Sequence, residues 1–127
     1  MTRYLLDTHV LLWWLDDPDL LSETAREAIA APDNLVIVSV ASVWEIAIKA
    51  TLGKLQAPED LKEMIEDSGF ELIAITYHHA WTVKTLPLFD HKDPFDRLLV
   101  AQAKVEGLTL ITRDVHLSSY GVPIVEA

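Results

Sequence analysis

The sequence predicts an α/β fold, a three-layer α/β/α arrangement with a parallel sheet between helices, in a single domain. Two observations carry this. Short β-rich runs alternate with longer stretches of helical spacing, the signature of successive β-α-β units. The chain has 127 residues, 50% of them hydrophobic and 24% charged, without internal repeat, low-complexity tract or linker, so residues 1–127 supply one core.

Residues 3–6 form the first strand, ending at Asp7, and residues 10–15 follow as a short apolar helix. Ser22 suits the N-cap of a helix reaching about Ala31, and Pro32, Asp33 and Asn34 mark a turn. Residues 35–39, rich in Val and Ile, are the second strand. Over residues 41–52, Val43, Ile46, Ala47 and Ala50 recur at helical spacing, and Gly53 closes that helix. Pro58 fits the first turn of the next helix, which stops at Gly69. Residues 70–75 read as a third strand, followed by a helix over about 77–86 and a loop over 87–92. Asp93 and Pro94 then open a helix running to Glu106 and closed by Gly107. Residues 108–112 are the fourth strand, and residues 124–125 a short last one.

Composition excludes several function classes. Without cysteine there is no disulfide scaffold, thiolate zinc site or cysteine nucleophile. The longest apolar run, residues 10–15, is far short of the roughly 20 residues that span a bilayer. Asp7 and His9 break the N-terminal apolar stretch, so it does not read as a secretory signal, and a cytoplasmic location is expected. Ten basic residues against twenty acidic ones give a net charge of −10, which argues against a surface that is phosphate-binding throughout. Acids and bases balance over residues 72–114, however, and a divalent cation there would leave that stretch locally positive. Net charge disfavours a nucleic-acid partner without excluding one.

Ligands of open parallel sheets collect outside the carboxyl ends of the strands. Asp7 stands just past the first strand and Asp114 just past the fourth. Asp96 lies in the first turn of one helix and Glu45 one turn into another, and both helices begin at the same rim. Four carboxylates can therefore meet there. Like charges about 4 Å apart repel by about 4 kcal/mol at an effective dielectric near 20, so convergence requires protons or a cation among them. Hard oxygen donors without histidine or cysteine suit Mg²⁺ or Mn²⁺, which activate water and stabilise the leaving oxygen of a phosphodiester.

Four segments carry a family resemblance: YLLDTHVLLWW (4–14), SVWEIAIK (42–49), DPFDRLLVAQA (93–103) and TLITRD (109–114). In this order and register the chain resembles a PIN-domain ribonuclease, and most closely the VapC-type toxins of toxin–antitoxin systems. The resemblance implies a metal-dependent ribonuclease whose acids fall on Asp7, Glu45, Asp96 and Asp114, with a hydroxyl position at Thr112. It also implies a cognate antitoxin that occupies the groove, and a homodimer or a dimer of dimers. In this alignment Asp96 is the metal-site acid of the third segment. Asp93, one turn earlier and before a proline, is explained as an N-cap. Asp7, Asp96 and Asp114 are the expected metal ligands, with Thr8, Thr112 and Asp93 supporting.

Each residue also has a plainer reading. Asp7 can end a strand in a turn; Glu45 can pair with Lys49 at i,i+4; Asp96 can answer a helix dipole; Asp114 can cap residues 115–119. Ala41–Ala50 reads as largely buried, which favours a functional Glu45. Arg97 and Arg113 stand beside the acids, either to hold substrate phosphates or as structural partners of an acid. Lys49, Lys54 and Lys92 are weaker candidates for contacts to a nucleic-acid backbone, and the solvated surface is the expected place of each. The adjacent His78 and His79 cannot both face one site and are expected at the surface or partly buried; His9 and His91 are unassigned. The stretch Leu11, Leu12, Trp13, Trp14 and Leu15 is too apolar for a helix with one wet face, which points to a partner surface.

Two other functions compete with the nuclease. A Mg²⁺-dependent phosphotransfer or receiver-type domain shares the architecture, but His9 stands where a dehalogenase-type phosphatase needs its second acid, and Ser39 ends the second strand. A non-catalytic acidic binding module, with the acids as caps and surface charge, differs in gaining no stability from Mg²⁺ or Mn²⁺.

Overall fold

A computed structural model describes residues 2–88 and 92–127. Five strands, β1 (Arg3–Leu6), β2 (Leu35–Ser39), β3 (Glu71–Ile73), β4 (Thr109–Thr112) and β5 (Ile124–Glu126), form one sheet in the order β3-β2-β1-β4-β5. Every pairing is parallel. The central strand β1 carries Leu6 between Val38 of β2 and Ile111 of β4. The strand order reverses at β1, and the carboxyl ends of β1 and β4 flank that reversal, where open sheets bind their ligands.

Among the described residues, six α-helices surround the sheet: α1 (Thr8–Asp16), α2 (Glu23–Ala30), α3 (Val40–Thr51), α4 (Leu61–Asp67), α5 (Tyr77–Thr82) and α6 (Pro94–Glu106). Alternate strand residues serve opposite layers. Leu6, Val36, Val38 and Ile111 pack with Val10, Leu11, Ala25, Ile29 and Ile65 of α1, α2 and α4. Leu5, Ile37 and Leu110 pack with Leu99, Val100 and Ala103 of α6 and with Leu86. Helix α3 joins the layers, with Ala41 in one core and Ile46 in the other. Its Glu45 is thereby brought over the carboxyl end of β1. Among the described residues no helix is long and apolar enough to cross a membrane.

Several boundaries differ from expectation for local reasons. Asp7 caps α1 by accepting the Val10 N–H at 2.8 Å, so the helix starts at Thr8 rather than residue 10. Pro58 lies outside any helix ahead of a turn, and α4 begins only after Asp60. Strand β3 stops at Ile73 because its one partner, β2, ends at the paired Ser39. The helix expected over 77–86 tightens to a 3-10 turn at Val83–Thr85, where Arg97 takes the Val83 carbonyl. Gly107 closes α6 in the left-handed conformation at φ 67°, as its place after Glu106 suggests.

Candidate active site

Asp7 lies where β1 passes into α1, with its N–H donating to the Ile111 carbonyl of β4. Its side chain is 9% exposed. One carboxylate oxygen takes the Val10 N–H and the other takes the Thr112 hydroxyl at 2.5 Å. The same Thr112 oxygen accepts the Asp114 N–H at 3.1 Å, so one threonine bridges the first acid to the backbone of the fourth. Burial pushes the Asp7 carboxyl up from its ordinary range. The Thr112 and Val10 hydrogen bonds and the nearby His9 oppose that rise, and the charge of Glu45 adds to it.

Glu45 is 3% exposed, and both of its oxygens are engaged. Oε1 accepts the Thr8 hydroxyl at 2.6 Å, and Oε2 pairs with the Lys49 ammonium at 2.6 Å. Thr8 also reaches Ser42 at 3.0 Å, which ties α1 to α3 directly beside Asp7. The Glu45 hydrogen bond holds the Lys49 ammonium above the usual lysine range against its own desolvation, with the charges of Glu45, Asp93 and Asp96 adding to it. Trp44 of α3 packs its ring 5.2 Å from that of Phe95, which sets the start of α6 against α3. Asp93 caps α6 by accepting the N–H groups of Phe95 and Asp96, while Asp96 occupies the first turn. Asp114 caps the following 3-10 turn, Val115–Tyr120, by accepting the His116 N–H at 3.0 Å.

Thr112 thus joins Asp7 to the backbone of Asp114, Thr8 joins the start of α1 to Glu45, and Asp96 lies in the first turn of α6. Among the described residues, no three of these acids are gathered into a closed coordination shell. The donor set still fits Mg²⁺ or Mn²⁺. Asp7 is a buried carboxylate with no ion-pair partner among the described residues, and the acids around it offer oxygen alone.

The structure places the two arginines and helix α3 as follows. Arg97 is 8% exposed, and its guanidinium donates to the carbonyls of Val83, Leu86 and Pro87 and to the Tyr120 hydroxyl. Arg113 donates to the carbonyls of Leu20 and Ala127 and stacks over Trp13, with its guanidinium carbon 4.1 Å from the ring centroid. Helix α3 is not largely buried, since Trp44 is 54% exposed, its ring 5.2 Å from that of Phe95. Glu45 is enclosed by Thr8, Ser42 and Lys49 instead.

Lys49, expected on the solvated surface, is instead paired with the buried Glu45. Its i,i+4 spacing from Glu45 was the available signal; that Glu45 would be buried was what gave the spacing meaning. Lys54 and Lys92 are exposed as expected, and His91 lies outside the described residues. His79 is fully buried, with Nδ1 accepting the Thr76 N–H and Nε2 bonded to Glu106, whereas His78 is exposed. The apolar residues of α1 divide as expected: Leu11 is in the core, and Leu12, Trp13 and Leu15 line an open groove of about 440 Å³ with Leu55, Pro58 and Met64.

A family model described as PIN domain matches residues 4–123. Ribonuclease VapC22 of Mycobacterium tuberculosis (strain ATCC 25618 / H37Rv) is 34% identical over 125 residues, spanning 97% of this chain and 95% of that protein. Among solved structures, VapBC2 from Rickettsia felis bound to a DNA fragment from their promoter has a chain that matches with a TM-score of 0.73 at 17% identity, over 98% of each chain. A toxin–antitoxin complex from Klebsiella pneumoniae has one that matches with a TM-score of 0.65 at 22% identity, over 96% of this chain and 95% of that one. The fold with its reversal at β1, the acids on that rim and a family match over nearly the whole length agree, and the chain belongs to the PIN domain family.

Proposed function

We propose that this protein is a Mg²⁺- or Mn²⁺-dependent endoribonuclease, the toxin of a toxin–antitoxin pair. The observation that carries the reading is Asp7, a buried carboxylate in no salt bridge among the described residues, joined through Thr112 to Asp114 at the switch point of the sheet. Kinship with a named ribonuclease over almost the whole chain supports it. Asp7, Asp96 and Asp114 are the residues assigned to hold the ion, with Thr112 orienting Asp7, and Asp93 fixing the first turn that bears Asp96. Glu45, clamped between Thr8 and Lys49, is the fourth acid. When bound, the ion supplies the charge that lowers the pKa of attacking water and stabilises the leaving oxygen.

Water attack forms one P–O bond and breaks the P–O3′ bond, and the departing oxygen takes a proton. The products carry a 5′-phosphate and a 3′-hydroxyl. Incubation with defined RNAs, with Mn²⁺ and with chelator, followed by mapping of the ends, tests this. Cleavage with Mn²⁺ that leaves 5′-phosphates is expected. Full activity in chelator, or 2′,3′-cyclic phosphate ends, contradicts it.

The partner that silences the enzyme is a cognate antitoxin protein, in keeping with the toxin–antitoxin complexes that share the fold. The apolar groove between α1 and the segment joining α3 to α4 is a fitting seat for its side chains. A homodimer or a dimer of dimers is the proposed assembly.

A further inference from the structure

A phosphodiester entering this site meets an electrostatic obstacle. The rim carries four acids on a chain of net charge −10; Arg97 is buried against backbone carbonyls, and Arg113 is drawn toward Trp13 and the carbonyls of Leu20 and Ala127. Lys49 is differently placed. Its ammonium stands 2.6 Å from Glu45, yet its side chain is 32% exposed while that of Glu45 is 4% exposed. It thus faces solvent from the floor of the acid cluster. An ammonium has three donors, and the Glu45 bond uses one. Burial of Glu45 and its second bond to Thr8 fix the point from which the ammonium projects.

We propose that Lys49 is a substrate-binding residue whose ammonium, positioned by Glu45, donates to a non-bridging oxygen of the phosphodiester at the acid site. This rests on the nuclease reading above. Glu45 then acts as a positioning residue for a cation as well as one of the acids. The site holds its own positive charge beside the carboxylates, so that an anionic backbone is met by a hydrogen-bond donor and not by acids alone.

Kinetics on a short oligoribonucleotide with Mn²⁺, paired with Mn²⁺-dependent melting, test the assignment. Lys49→Gln is expected to lower kcat/KM on the order of tenfold, chiefly through KM, the scale of one charge-assisted hydrogen bond. Lys49→Arg, which keeps the charge and the pair, is expected to recover most of that loss. The stabilisation of Lys49→Gln by Mn²⁺ is expected to equal or exceed that of the wild type, because a cation competing for the acids has been removed. In the cleavage-deficient Asp7→Asn background, Lys49→Gln is expected to reduce the salt slope of RNA binding by about 0.7, one phosphate contact on a single strand. If Lys49→Gln is too unstable to assay, Glu45→Gln with Lys49→Gln, compared with Glu45→Gln alone, leaves no buried charge unpaired and reads the same slope.

Unchanged kcat/KM, an unchanged salt slope, or a lost response to Mn²⁺ overturns the proposal; the last would make Lys49 a support of the metal site. Failure of the wild type to cleave RNA with either ion would instead remove the nuclease reading, and the Lys49 assignment with it.

Discussion

Burying Asp7 is costly to the fold and useful to the site. Burial opposes its ionisation, the Thr112 and Val10 bonds only partly compensate, and Glu45 repels it. A carboxyl raised above its ordinary value stabilises the fold fully only below that value of 3.8, and the contribution is lost as pH rises through the elevated one. In chelator, Asp7→Asn, which preserves the cap and mimics the neutral acid, is therefore expected to melt a few degrees above the wild type at neutral pH, the scale that about 1 kcal/mol produces in a small domain. The two melting curves should converge near pH 4 and below, and cleavage by the variant should be nearly abolished. A variant less stable than the wild type at every pH contradicts this account of Asp7. At this scale the acids were legible because topology alone sends residues after β1 and β4 to one rim. Arg97 and Lys49 were not, since adjacency in sequence does not reveal whether a guanidinium turns toward backbone carbonyls or an ammonium toward a buried glutamate.

Helix α6 presents two aspartates one turn apart, and its N-terminus divides their roles. Asp93 serves the backbone N–H groups of Phe95 and Asp96, so the first turn, and with it the place of Asp96, depends on that cap. Asp93→Ala is expected to cost about 1 kcal/mol in denaturant unfolding, whereas Asp93→Asn, an equally good cap, costs little. Asp93→Asn should keep cleavage within a few-fold of wild type, and Asp96→Asn should lose about a hundredfold or more, the scale of removing a preorganised group from a site. Equal losses in both variants would make Asp93 a member of the metal site. Helix caps such as Ser22, Asp93 and Gly107 were readable from sequence because each solves a local problem of unsatisfied backbone groups. The start of α4 was not, because Pro58 is compatible with both a first helical turn and the irregular segment that borders the groove. The burial of His79 also depends on a distant residue, Glu106, which no local pattern discloses.

For the whole molecule, strand order was the unseen step between scattered acids and a site. With β1 central and β2 and β4 beside it, Asp7, the Glu45 helix and Asp114 share one end of the sheet, and the charge of Asp96 reaches Lys49 from α6. The sequence pattern implied the α/β class but could not by itself order the strands; that order follows from which apolar faces pack together. The proposed divalent ion at this rim would unite an acidic chain with the proposed anionic substrate. The most direct measurement is thermal unfolding of the wild type across a Mn²⁺ titration, alongside Asp7→Asn and Asp96→Asn. At about a hundredfold excess over the dissociation constant, the wild type should gain about 2.7 kcal/mol, with most of that gain absent from both variants. No gain in the wild type, or the same gain in all three proteins, contradicts a divalent-ion site formed by these carboxylates.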